Sequence, residues 1–139
     1  MKHSFLKTTK ALLIYLLCLS VTLRVFAQNT SYNSNSIPIA GTNCTAFGTL
    51  ALSSNTVAGN GNTGIGFVSL RFNTSGVNNT ASGSYALGSN TTGSNNTANG
   101  VEALYTNTTG NYNTANGSYS LNSNIIGSFN TANGYQSSY

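Results

Sequence analysis

The sequence predicts an all-β fold, a parallel β-solenoid built from coils of seventeen residues, and three observations predict it. From Asn62 onward one unit recurs, as NTGIGFVSLRFNTSGVN, NTASGSYALGSNTTGSN, NTANGVEALYTNTTGNY and NTANGSYSLNSNIIGSF, before a partial copy, NTANGYQSSY, runs to Tyr139. Two glycine columns punctuate it: Gly48, Gly66, Gly83, Gly100, Gly117 and Gly134, then Gly59, Gly76, Gly93, Gly110 and Gly127. Between them a small residue precedes leucine, at Ala51-Leu52, Ser69-Leu70, Ala86-Leu87, Ala103-Leu104 and Ser120-Leu121. A unit this short cannot bury a core alone, so successive copies must stack into an elongated array.

The chain opens with a segment that does not belong to that array. Lys2, Lys7 and Lys10 precede an apolar run from Ala11 to Leu23, and Val25-Phe26-Ala27 places small residues where a signal peptidase cuts before Gln28. The run is too short for the roughly 20 residues that span a bilayer, so residues 1–27 read as a cleaved signal peptide, with no membrane span in the mature chain. Leu17 before Cys18 argues against lipoprotein processing. Removal of this segment takes Lys2, Lys7, Lys10 and Arg24 with it and leaves Arg71 and Glu102 as the charged residues of a neutral chain. The basic balance is a property of the targeting segment, and a nucleic-acid partner loses the cations it would need.

Residues 28–43 form a polar lead-in, with the only proline at Pro38, expected to be irregular and to cap the first coil. The array proper runs over 44–139. Its first copy, CTAFGTLALSSNTVAGNG, is one residue longer because Ala58 is inserted before the second glycine. Five full repeats and a fraction result, and the stop at Tyr139, ten residues into the motif without a polar cap, suggests a truncated or shortened member of a longer protein.

Each glycine column implies a tight bend, through positive φ or a close backbone approach. The stretches between bends, such as Asn96 to Asn99 and Val101 to Tyr105, are too brief for helices and long enough for strands. Stacked at about 4.8 Å per coil, five units would span roughly 25 Å. Leu52, Leu70, Leu87, Leu104 and Leu121 should form one buried column, and the Asn and Thr columns should become ladders. One leucine per coil is a thin core. Association of identical chains would cover the aromatic residues left over: Phe67, Tyr85, Tyr105, Tyr112, Tyr119, Phe129 and Tyr135, read as packing residues rather than a sugar-binding strip.

The residues exclude several chemistries. The only histidine, His3, lies in the signal segment and one acidic residue follows it, so no triad or two-carboxylate site can be assembled. No catalytic, cofactor-binding or metal-ligating residue is expected, and the chain reads as no enzyme. Arg71 and Glu102 occupy different repeat positions and read as two solvated surface charges. Cys44 stands where later copies carry Asn62, Asn79, Asn96, Asn113 and Asn130; it reads as a small residue tolerated at the cap, with a crosslink between chains as the alternative.

The segments Asn79-Thr80-Ala81-Ser82-Gly83 and Asn96-Thr97-Ala98-Asn99-Gly100, each followed by Ala-Leu and then by Asn-Thr-Thr-Gly at 90–93 and 107–110, resemble the head repeats of YadA-like trimeric autotransporter adhesins. They are similar also to the NTAxGxxALxxNTTG arrays of exported bacterial tail-fibre-like proteins, which often end in an endosialidase-type intramolecular chaperone. The resemblance covers Cys44 to Tyr139 and implies a left-handed β-roll, a homotrimer, a secreted or bacterial cell-surface location and a role in cell adhesion. The units here are longer than is usual in YadA-like heads, and no coiled-coil stalk, anchor barrel or chaperone accompanies them. The expected function is that of a surface adhesin head or fibre segment mediating attachment to a surface or host ligand of unknown identity. The alternative is an ice-binding or water-ordering surface, because Thr80, Thr97, Thr114 and Thr131, and Thr74, Thr91 and Thr108, offer regularly spaced hydroxyls. The second row breaks at Ile125.

Overall fold

The computed structural model describes residues 30–32, 43–56 and 58–138. They form seven strands of three residues: β1 (Thr30–Tyr32), β2 (Thr45–Phe47), β3 (Thr63–Ile65), β4 (Thr80–Ser82), β5 (Thr97–Asn99), β6 (Thr114–Asn116) and β7 (Thr131–Asn133). No helix occurs among the described residues. The strands make one sheet in chain order, each parallel to the next. Threonine pairs with threonine from Thr63 to Thr80, Thr97, Thr114 and Thr131, an advance of 17 residues per coil. The fold is a parallel β-solenoid. Between Thr45 and Thr63 the advance is 18, and Ala58 is the residue absorbed.

The segment expected to be an irregular lead-in supplies β1, whose Thr30, Ser31 and Tyr32 pair with Thr45, Ala46 and Phe47. The sheet therefore begins one strand before Cys44. A sequence signal for it exists, since Asn29-Thr30-Ser31-Tyr32 repeats the Asn-Thr-small pattern of the later strands, without the glycine that follows them. The signal segment, residues 1–27, lies outside the described residues.

Strands β2 to β7 each turn the middle residue inward and the outer two toward solvent, the period of two expected of a pleated backbone. Ala46, Ala81, Ala98, Ala115 and Ala132 line the interior at 0–5% exposure. Opposite them lies the leucine column, with Leu52, Leu70, Leu87, Leu104 and Leu121 all buried, as the repeat predicts. Alanine faces leucine because only a methyl group fits where the coil is this narrow. Gly64 occupies the alanine column in β3. A Cβ there would meet Ser69 Oγ at 3.1 Å and Leu52 Cγ at 3.4 Å, and coil five holds Ala115 and Ser120 in the equivalent places. Gly64→Ala is expected to stabilise the array by about 0.5 kcal/mol, through a stiffer unfolded chain and one more buried methyl; denaturant midpoints of the two proteins check it.

The second expected strand is absent. Val101 to Tyr105 and its equivalents form consecutive turns. In each coil the first glycine's carbonyl accepts a hydrogen bond from the residue three positions on, as Ala86 N–H donates to Gly83 O and Ala103 N–H to Gly100 O. The leucine carbonyl opens the next bend, accepting from Asn90 N–H at Leu87 O and from Asn107 N–H at Leu104 O. These bends need left-handed backbone at residues that are not glycine: Leu50, Val68, Tyr85, Glu102 and Tyr119 in one column, and all five core leucines in another, with φ from 48° to 62°. Left-handed backbone costs a residue with a Cβ about 1–2 kcal/mol. What offsets that cost is pairing between coils through the bends themselves, as Leu70 N–H donates to Ala86 O and Leu87 N–H to Ala103 O, both at 3.0 Å.

The two glycine columns are required for different reasons. Gly83 combines φ +142° with a backbone approach so close that a Cβ would lie 2.4 Å from Gly100 O. Gly93 has no such φ, yet its Cβ would fall 2.4 Å from Asn90 Oδ1 and 2.5 Å from Gly110 O. The second column makes room for a side chain that the fold holds inside.

Candidate functional site

That side chain is asparagine, and its position decides which polar columns face inward and which outward. Asn62, Asn79, Asn96 and Asn113 are fully buried, and so are Asn73, Asn90 and Asn107 at the second bend. Within a coil both amides donate to one carbonyl: Asn79 Nδ2 reaches Gly93 O at 2.8 Å and Asn90 Nδ2 reaches it at 2.9 Å. Between coils, Asn79 Oδ1 accepts from Asn96 N–H at 3.0 Å and from Asn96 Nδ2 at 3.2 Å. Asn73 Oδ1 accepts from Asn90 Nδ2 at 2.8 Å, and Asn90 Oδ1 from Asn107 Nδ2 at 2.9 Å. Among the described residues no buried side-chain nitrogen or oxygen is left without a partner. Two internal amide ladders thus supply the core volume that one leucine per coil lacks, and they are structural rather than a contact surface.

Cys44 belongs to the same interior. Its thiol takes the place of the asparagine amide, donating to Gly59 O at 3.2 Å, while Asn55 Nδ2 approaches Sγ at 3.7 Å. At 1% exposure it lies inside the first coil, the position of the tolerated small residue and not one that presents a sulfur to a second chain.

The two threonine rows have different fates. At the second bend, Thr74, Thr91 and Thr108 turn their hydroxyls onto the next coil's backbone, donating to Thr91 O, Thr108 O and Ile125 O at 2.9–3.1 Å. The row survives at Ile125 because the acceptor is a carbonyl. On the sheet, Thr63, Thr80, Thr97, Thr114 and Thr131 stand in register at the surface, and none of their hydroxyls is engaged by a protein acceptor. Sequence alone could not separate the rows, since both are Asn-Thr.

Beside the free threonines runs a second outward column: Phe47, Ile65, Ser82, Asn99, Asn116 and Asn133. Its amide end is ordered along the stack, Asn99 Nδ2 donating to Asn116 Oδ1 and Asn116 Nδ2 to Asn133 Oδ1, each at 2.9 Å. Its apolar end, Phe47 and Ile65, is about half exposed.

The aromatic residues also align along the stack. Phe67, Tyr85 and Tyr105 form an edge-to-face chain with centroids 5.4 Å and 5.9 Å apart, and Tyr119 meets Tyr135 at 6.1 Å. Tyr112 and Phe129 lie parallel at 5.1 Å and are largely exposed, as are Ile125 and Ile126. Arg71 places its guanidinium 4.8 Å from the Phe72 ring centre, and Asn122 Nδ2 approaches Glu102 Oε2 at 3.5 Å; the two charged residues do not meet. Comparison with family models, with curated proteins and with solved structures finds no match to this chain.

Proposed function

We propose that the chain is an exported, non-enzymatic repeat protein that acts as an adhesin head or fibre segment, attaching through the outer faces of its coils. The observation that carries this reading is the division of labour between columns. The interior is closed by leucine, alanine and asparagine, while Phe47, Ile65, Phe72, Tyr112, Ile126, Phe129 and Tyr135 remain exposed on a regular scaffold that does not need them for its core. Apolar side chains aligned on a rigid surface are what an attachment surface or a subunit contact uses. The resemblance to YadA-like heads adds the finer reading: a left-handed roll, three identical chains side by side, and a place outside the cell. Sedimentation equilibrium of the form from Gln28 to Tyr139, over a concentration series, is expected to give a trimer whose folding weakens on dilution. A cooperatively folded monomer at every concentration would sink the trimer. Retention of the purified protein on candidate surfaces tests attachment directly, with Phe129→Ser and Tyr112→Ser expected to reduce it.

The free threonine row favours one second reading, a water-ordering face. Its hydroxyls and methyls repeat at about 4.8 Å with no protein partner for the hydroxyls. An ice-recrystallisation assay separates the two, because inhibition lost in Thr97→Leu would point to this face and no inhibition at all would remove it.

A further inference from the structure

Asn-x-Ser/Thr triplets, the acceptor pattern for N-linked glycans, recur along the chain after the signal segment, and the fold treats them unequally. Three begin at Asn73, Asn90 and Asn107, the ladder of the second bend. These asparagines are fully buried and each Nδ2 donates to two acceptors: Asn73 to Asn55 Oδ1 and Gly76 O, Asn90 to Asn73 Oδ1 and Gly93 O, Asn107 to Asn90 Oδ1 and Gly110 O. A sugar on that nitrogen would replace a donated hydrogen inside a bore already filled, so a coil glycosylated there cannot close. Asn116 begins another triplet, and its Nδ2 donates to Asn133 Oδ1 within the outward ladder. The triplet at Asn29 starts outside the described residues.

The remaining three share one corner of the coil. Asn43, Asn78 and Asn95 stand just before the inward Cys44, Asn79 and Asn96, and all three are exposed, with φ from 56° to 58°. Left-handed backbone favours asparagine, but it does not by itself place one here, since Tyr112 and Phe129 take the same position in later coils at φ 56° and 61°. The hydroxyl residue of each triplet is the first residue of a strand, Thr45, Thr80 or Thr97, on the outer face of the sheet. Amide and hydroxyl, the two groups that the triplet contributes to the modification, therefore both lie outside the closed interior.

We infer that Asn43, Asn78 and Asn95 are acceptor sites for an N-linked glycan, and that the folded protein carries none at Asn73, Asn90 or Asn107. In the transfer, Nδ2 forms a bond to the anomeric carbon of a sugar activated by pyrophosphate. The bond from that carbon to the pyrophosphate oxygen breaks, its electron pair leaves with pyrophosphate, and the nitrogen gives up one proton to a base of the transferase. The transferase acts on the extended chain before the coils close, and folding then retains only chains whose sugars stand at the corner. Asn78 and Asn95 lie one coil apart, about 4.8 Å, too close for two branched glycans side by side, so one glycan on this pair is the expected stoichiometry. Delivery to a transferase rests on the export proposed above; the sorting of sites by the fold does not.

The test has two arms. In the first, the full chain is expressed in cells whose export route carries an Asn-x-Ser/Thr transferase, and glycans on the released protein are mapped by mass spectrometry after enzymatic removal in heavy-oxygen water. Occupancy summed over Asn43, Asn78 and Asn95 is expected to exceed that over Asn73, Asn90 and Asn107 by at least about tenfold. Thr97→Val should abolish the label at Asn95 alone, and Thr97→Ser should keep it, with both variants folded. In the second arm the unfolded full chain is glycosylated by purified transferase with a sugar-pyrophosphate donor and then refolded, which reads the sorting without export. The soluble fraction should carry its label at the corner and the aggregate should hold the chains labelled at the second bend. Precursor retained inside the cell would count against export and leave the refolding arm to decide. Bare Asn78 and Asn95 in exported or refolded protein, or a glycan on Asn90 in folded protein from either arm, would overturn the inference.

Discussion

Replacement of Leu87 by aspartate is expected to destabilise the array by about 4 kcal/mol or more, enough to abolish cooperative melting at ordinary temperatures. Leu87 is fully buried between Leu70 and Leu104 in the single leucine column. A carboxylate there finds no cation, because the described array holds one arginine, Arg71, whose guanidinium stacks on Phe72 at the surface. An uncompensated buried charge costs about 3–5 kcal/mol, beyond the loss of the leucine itself. One effect opposes this: Leu87 has φ +49°, a conformation that aspartate tolerates better than leucine, but the relief is about 1 kcal/mol and does not decide the sign. Arg71→Ala is the control, expected to cost no more than about 1 kcal/mol, the value of an exposed cation on a ring. Thermal unfolding of both variants checks the contrast, and equal shifts would mean that the inner and outer faces are exchanged.

The second large effect concerns the interior amides. Asn96→Leu keeps nearly the same volume and removes every polar atom of the side chain. Asn113 N–H then loses its acceptor, Asn96 Oδ1 at 2.9 Å, and has no substitute in the closed interior. Gly110 O loses the 2.8 Å bond from Asn96 Nδ2 but keeps Asn107 Nδ2 at 3.1 Å, and Asn113 Nδ2 keeps Gly127 O at 2.7 Å. One orphaned backbone donor and two weakened amides sum to about 2–4 kcal/mol of destabilisation. The adjacent Thr97→Val removes a hydroxyl that makes no hydrogen bond to the protein and should shift stability by less than about 0.5 kcal/mol. Denaturant titrations of the two single variants test it. A threonine change as costly as the asparagine change would show that the asparagine ladder does not carry the core.

These two residues also mark how far the sequence could be read. Leu87 was legible because an apolar residue recurring at a fixed interval between glycines has one economical place, inside. Asn96 was legible as a member of a ladder but not as a core residue. Composition sends asparagine to the surface, and only the coil's narrow bore, with the Gly110 carbonyl pointing into it, makes a buried amide favourable. The two threonine rows show the same gap. Thr91 and Thr97 follow asparagine in equivalent fashion, yet Thr91 donates to Thr108 O and Thr97 stands free, a difference set by where the neighbouring carbonyl lies.

By itself the sequence determined the solenoid, its coil length, the leucine column and the bends at Gly83 and Gly93, because these follow from periodicity and from residues with one physical use. Tertiary structure alone decided the rest. Val101 to Tyr105 becomes a run of turns rather than a strand because the narrow coil must bend there, and inter-coil hydrogen bonds hold Glu102 and Leu104 at positive φ against their local preference. The strand at Thr30–Tyr32 forms without a following glycine because a ready-made parallel edge at Thr45–Phe47 pairs its backbone. In each case the deciding partner is one full coil away along the chain, where local sequence rules do not reach.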